Sequence, residues 1–359
     1  MSVLTTNYLT PTGREEAWRF TPLARLGGLH DASVTLLDHP SLQVIGELPT
    51  GVKLSQSVSA PLSTTDDLVT ERVRSAVSQE LVLEIARDVE LDAPIYLHRS
   101  GVSTGPEASR TLIKLGTHAR ATVIVENTGG GILAEEMEFS LDTGSHLTFV
   151  TLQEFESDAV FLARHHAIIG KDAQFVSTVV TIGGSVVRIL PTVEYSGQGS
   201  SAELSGVYFA TDGQHQEHRI HVDHNFPHAK SRVNYKGALA GNNAHSVWIG
   251  DVFIRANAEG TDTYELNRNL LLSDGARADS VPNLEIETGE IVGAGHASTT
   301  GRFDDEQLFY LESRGIPAEL ARRLVIRGFF AEIVSKIGIE VIQERIMDRI
   351  DSELSKVGE

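Results

Sequence analysis

The sequence predicts a mainly β protein: a right-handed parallel β-helix core flanked by a small N-terminal α/β segment and a C-terminal helical unit. Three observations predict it. From about residue 91 to 302 the chain runs in short β-rich stretches punctuated by Gly, Asp, Asn and Ser. Turn-like segments recur there (LGTHARATV, LDTGSHLTF, IGKDAQFVS, SGQGSSAEL and FPHAKSRV), and the small residues that follow them, Ala119, Ser145, Ala173, Ser201 and Ala229, lie 26, 28, 28 and 28 residues apart. After Arg302 the apolar period switches to that of a helix.

Each element follows in order. The opening MSVLTTNYLTPT is polar, and Arg14–Leu23 predicts a short helix stopped at Pro22 whose Trp18 and Phe20 clamp the N-terminus onto the main body. Residues 31–65 mix Gly, Pro and Ser with short apolar runs and yield no element. Asp67 to about Ile85 predicts a helix with Thr65 and Asp66 as candidate caps, and Pro94–Leu97 a strand. These divisions give a segment 1–90, a β-helix 91–302 and a helical unit 303–359. Half-period turns are expected near Ala134, Ser157, Gly184 and Gly213. Stacked coils explain regular turns better than a Rossmann-like domain, which needs helical periods between strands, because each coil covers the strand edges of the last.

In the last segment Pro317 suits a first helical residue, and Leu320, Leu324, Phe330, Ile333, Val334 and Ile337 follow near helical spacing. Gly338 interrupts, and Ile342, Ile346, Ile350 and Leu354 form a second stripe. A helical pair this small cannot bury both stripes alone, so one face is expected on the β-domain or on another protein.

Composition excludes several functions. A net charge of -19 argues against nucleic acid and against anionic membrane surfaces as partners. The sequence contains no cysteine, so disulfides, thiolate nucleophiles and Cys-ligated clusters held by this chain alone are excluded. Any thiol chemistry must be borrowed from a partner. No secretory signal or run of about 20 apolar residues is visible, and a cytoplasmic protein is expected.

The most conspicuous candidate metal site is a row of histidines, His215, His218, His221, His224 and His228. On a strand these split between faces: His218, Ile220, Val222 and His224 on one, Glu217, Arg219, His221 and Asp223 on the other. A metal at His221 with Asp223 is therefore disfavoured against a satisfied His224 beside a polar face. Gly293–Ser298 lacks the third Gly and the helix of a dinucleotide fingerprint, and Gly129–Gly131 is followed by no P-loop Lys. His296 has small residues on both sides, which leaves its imidazole room to face another surface. It can ligate iron, move a proton, or bond the backbone of the last coil, and the residues alone leave that choice open. Asn267 and Asn269 are expected in stacked-coil turns, satisfying backbone groups between layers. A β-helical carbohydrate-active enzyme and a histidine-rich metal-binding module remain as rival classes.

The stretches NRNLLLSDGARADSVPNLEI and GHASTTGRFDDEQLFYLESRGI, with VDHNFPHAKSRVNYKGALAGNNAHSVWIGDVFIRANAEGTDTYEL before them and REEAWRFTPL near the start, resemble the SufB/SufD family of iron–sulfur cluster assembly proteins. The likeness is dense over about residues 220–337 and nearer to the SufD arm, given the shorter chain and missing cysteine. It implies a non-catalytic scaffold subunit pairing with a SufB-like subunit through the β-helix end, where a nascent cluster is held transiently. It also implies a SufC-like ABC ATPase docked on the helical unit, around Leu308, Phe309, Tyr310, Arg314 and Gly315. By motif match His296 is the cluster-assembly residue at the subunit interface. Some SufD proteins carry a cysteine two residues earlier; here that position is Ala294. The family further implies flavin in the complex, for which no motif is visible, and no cofactor held stably by this chain alone. Left without its partner, the same surface is expected to pair with a second copy.

Overall fold

A computed structural model describes residues 10–38, 42–101, 105–303 and 305–356. Its core is a β-solenoid of two facing sheets. From Ile95–Gly101 onward successive strands alternate between a ten-stranded and a nine-stranded sheet, and neighbours within each sheet pair in parallel. Strands buried on both faces explain the near-continuous apolar runs of the middle coils.

The repeat is set at the turns. Arg120, His146, Gln174, Ser201, Lys230, Asp262 and Gly293 occupy one ladder position, 26 to 32 residues apart. Just before the first six lie Ala119, Ser145, Ala173, Ser200, Ala229 and Thr261, all fully buried. The expected anchors hold at Ala119, Ser145, Ala173 and Ala229, whereas the fourth is Ser200 rather than Ser201. One residue earlier still, His118, Gly144, Asp172, Gly199, His228 and Gly260 share φ between 56° and 75°. The N–H of each donates to a carbonyl in the next coil's turn, as His118 does to Thr143 and Gly144 to Lys171. Three of these positions are His or Asp, so the stacked turn holds the left-handed conformation without needing glycine throughout. Half-period turns fall at Ser157, Gly184 and Gly213 as expected. Ala134 instead lies inside the strand Ile132–Leu141, with the chain turning before Ile132.

The two ends differ. At the N-terminal end antiparallel strands, Val52–Ser57 against Glu80–Ile85 and Gln43–Ile45 against Ile95–Gly101, finish both sheets. The sheets therefore begin before residue 91. At the other end Arg277–Ile286 and Gly293–Arg302 are terminal strands, and no residue of either is fully buried.

Both outer faces are partly covered. Helix α1, Leu68–Ala76, packs with Trp18, Leu26 and Leu29 against Ala134, Val160, Leu162 and Val186. The expected helix 67–85 is thus two elements. Asp67 caps α1 by accepting from Thr70 N–H at 2.9 Å, and Glu80–Ile85 leaves it as a strand because it pairs with Val52–Ser57 on one side and with Thr111–Leu115 on the other. Arg14–Leu23 forms two short 3₁₀ turns, Glu16–Trp18 and Leu23–Arg25, interrupted at Pro22. The clamp itself is present: the Arg188 guanidinium lies 4.4 Å from the buried Trp18 ring and pairs with Asp67 and Glu217.

On the nine-stranded sheet lie α3, Ala318–Lys336, and α4, Glu340–Lys356, preceded by α2, Asp305–Ser313; Asp304, part of the expected helix start, lies outside the described residues. Phe330, Ile333, Val334 and Ile337 with Ile342, Ile346, Ile350 and Leu354 bury Val150, Leu152, Val180, Val207 and Phe209. Gly338 at φ 71° turns the chain between α3 and α4, as the sequence indicates. Lys236 to Glu332 at 2.7 Å and Arg345 to Glu126 at 2.7 Å fasten the helices to the sheet. The helical face expected on the β-domain is this one. Leu320 and Leu324 point elsewhere and are exposed.

Candidate functional site at the open end of the solenoid

Inward-facing side chains stack in columns, one per ladder position. One column runs Ile95, Val123, Phe149, Ser177, Leu204, Val233, Glu265, His296. Apolar for most of its length, it ends in a carboxylate and an imidazole. The strand Gly293–Arg302 places His296 on the same face as Ala294, which packs on the core, and Ser298 and Thr300, which meet Asn267 and Asn269. His296 is exposed because no coil follows to cover it.

Beneath it, Glu265 is buried to 1% exposure, and neither carboxylate oxygen has a hydrogen-bond partner among the described residues. Burial, with Asp251 nearby, pushes its pKa up to about 8. A side chain at Gly250 would strike both the Trp248 ring and the Glu265 carboxylate, so glycine there makes the room that Glu265 occupies.

A second column is polar from end to end: Arg99, Asn127, Gln153, Thr181, Tyr208, Gly237, Asn269, Thr300. Gly237 admits the Tyr208 ring, which stacks on His218 at 5.0 Å. Tyr208 donates to Asn269 Oδ1 and accepts from Asn267 Nδ2; Asn269 Nδ2 donates to Asn267 Oδ1, Ser280 Oγ and Thr300 Oγ1. Asn267 and Asn269 are therefore buried in mid-strand, not in turns. At i and i+2 they share the inward face, where the Asn269 amide donates to Asn267 and the Tyr208 hydroxyl links the two.

The histidine row divides between the faces as its alternation requires. His218 Nε2 meets Thr181 Oγ1 at 3.0 Å, His224 Nε2 meets Ser231 Oγ at 2.9 Å, and both are fully buried. Burial lowers the first to about 3 and the second to about 4, so both are neutral imidazoles in the core. His221 lies on the outer face beside Phe253, while Asp223 pairs with Arg255 at 2.9 Å. Among the described residues no group of three or more His, Asp or Glu is arranged to hold a metal ion.

The expected ATPase-docking residues lie together on α2 and in the turn that follows it. Phe309 and Tyr310 are 72% and 57% exposed, Arg314 lies 5.2 Å from the Tyr310 ring, and Gly315 at φ 84° follows the helix end. Leu308 is half-buried. Helix α2 packs mainly on α3, whose exposed Leu320 and Leu324 extend the apolar surface of this unit. Among the described residues no helix is long and apolar enough to cross a membrane.

Glu265 is the residue that sequence reasoning missed. Its one signal is a charge in phase with Asn267 and Asn269, and in DTYELNRNLL the apolar Tyr264, Leu266 and Leu270 occupy the opposite, outward phase. Alternation alone points the strand the wrong way round.

Residues 98–329 match the family model described as SUF system FeS cluster assembly, SufBD core domain. An iron–sulfur cluster assembly SufBD family protein of Mycobacterium tuberculosis (strain ATCC 25618 / H37Rv) is 48% identical over 96% of this chain and 89% of its own length. The iron–sulfur cluster assembly protein SufD of Escherichia coli (strain K12) is 25% identical over 96% of this chain and 89% of its own. SufD of Bacillus subtilis (strain 168) is 27% identical over 76% and 63%. A solenoid with an unfinished polar end, a cysteine-free sequence and these matches lead to one conclusion: the chain belongs to the SufBD family of iron–sulfur cluster assembly proteins.

Proposed function

We propose that this chain is a non-catalytic scaffold subunit of an iron–sulfur cluster assembly complex in the cytoplasm. It pairs with a SufB-like subunit at the open end of the solenoid and with a SufC-like ABC ATPase through the helical unit. His296 stands at the subunit interface and assists formation of the nascent cluster, which is cargo. The observation that carries this reading is the exposed His296 at the end of an otherwise buried inward column. A neighbour seated on the terminal strands would enclose it. The thiols absent from this sequence come from that neighbour. The exposed Phe309 and Tyr310 supply the apolar surface for the ATPase.

The test is co-expression with the SufB-like and SufC-like partners. His296→Ala leaves the complex assembled and lowers iron–sulfur enzyme maturation in cells; undiminished maturation overturns the role of His296. The double change Phe309→Asp, Tyr310→Asp releases the ATPase in a pull-down while the SufB-like subunit stays bound. Retained ATPase overturns the docking surface.

A further inference from the structure

We propose that Glu265 is a second donor for ferrous ion at the open end, acting together with His296 in a site that a partner subunit completes. The inference rests on the reading of His296 given above and extends it to a residue that reading does not contain.

The geometry points this way in three respects. Glu265 is the ladder neighbour of His296, so the two side chains leave adjacent strands about 4.8 Å apart on the same inward face. Its carboxylate is buried with both oxygens unpartnered. A carboxyl in such a place is costly to ionise without a partner, and Val233, one coil earlier in the same column, shows that an apolar residue fits. Finally, Gly250 clears the space into which the carboxylate points.

Imidazole nitrogen and carboxylate oxygen are donors suited to Fe(II), and a divalent cation would offset the cost of ionising the buried carboxyl. Two donors leave coordination positions open. Those positions fall on the side where the solenoid ends, so cargo bound there is presented to whatever covers the end.

The experiment is anaerobic titration of the full-length chain with ferrous ion, followed by calorimetry and repeated with Co(II), whose absorption reports nitrogen and oxygen donors. Glu265→Gln and His296→Ala each weaken binding at least tenfold, and the double variant is no worse than either alone. His221→Ala binds as the unaltered chain does. Glu265→Val, which copies the preceding position of the column, checks by circular dichroism and elution volume that the fold tolerates an apolar group there. Unchanged binding by Glu265→Gln overturns the proposal, as does loss of binding in His221→Ala or absence of binding to the unaltered chain at millimolar ferrous ion. A maturation defect in His296→Ala alongside unchanged binding in Glu265→Gln leaves the function reading standing and removes Glu265 from it.

Discussion

Near the capped end of the solenoid a buried glutamate has an arginine; at the open end a buried glutamate has nothing. Glu135 Oε2 lies 2.5 Å from Arg99 Nη1, and His165 Nε2 is 3.4 Å from its other oxygen. Burial opposes its ionisation, yet the Arg99 charge and the His165 contact outweigh burial and hold its pKa at about 2. Glu265, equally buried, is pushed up to about 8. The difference follows from the neighbours each group has. Arg99 and His165 reach Glu135, whereas Glu265, one coil below the end, has apolar Val233 on one side in its column and the exposed His296 on the other. The open end is the part of this fold that the proposed partner subunit would cover.

The largest expected effect breaks the matched pair. Arg99→Ala strands Glu135 as a buried, unpaired charge and should cost about 3–5 kcal/mol in denaturant unfolding at pH 7. A loss under about 1 kcal/mol would mean that the interior is wetter there than its packing indicates.

A smaller change of opposite sign is expected at the open end. The carboxyl of Glu265 ionises in the unfolded chain near its ordinary value of 4.5 but in the folded chain near 8. Between those values the folded state binds the extra proton, so stability falls as pH rises through that window and levels above it. Glu265→Gln removes this slope. After the cost of burying an unpaired amide, it should gain about 1–2 kcal/mol at pH 8 and nothing near pH 4.5. Parallel pH profiles for the two proteins would contradict the unmatched state of Glu265. The smallest effect belongs to His296→Ala, which should change stability by less than about 0.5 kcal/mol, because the imidazole is exposed. A larger loss in a melting curve would make His296 a structural residue of the last coil.

Several elements were legible in the sequence because local chemistry decides them. The turn residues announce the repeat, since a left-handed residue followed by a small buried one recurs once per coil. The stripe Ile342, Ile346, Ile350, Leu354 announces α4, and the alternation of the histidine row separates His218 and His224 from His221. The 67–85 segment misled because its apolar residues fit helical spacing, while pairing with Val52–Ser57 and Thr111–Leu115 claims its second half as strand.

By itself the sequence determined the class of fold, the cysteine-free chemistry and the motif that carries His296. Tertiary structure alone decided which way each strand faces, because a period of two permits either phase until a neighbouring strand sets the register. That choice turns Tyr264 outward and Glu265 inward, and it makes a buried neighbour of a histidine 31 residues further along the chain.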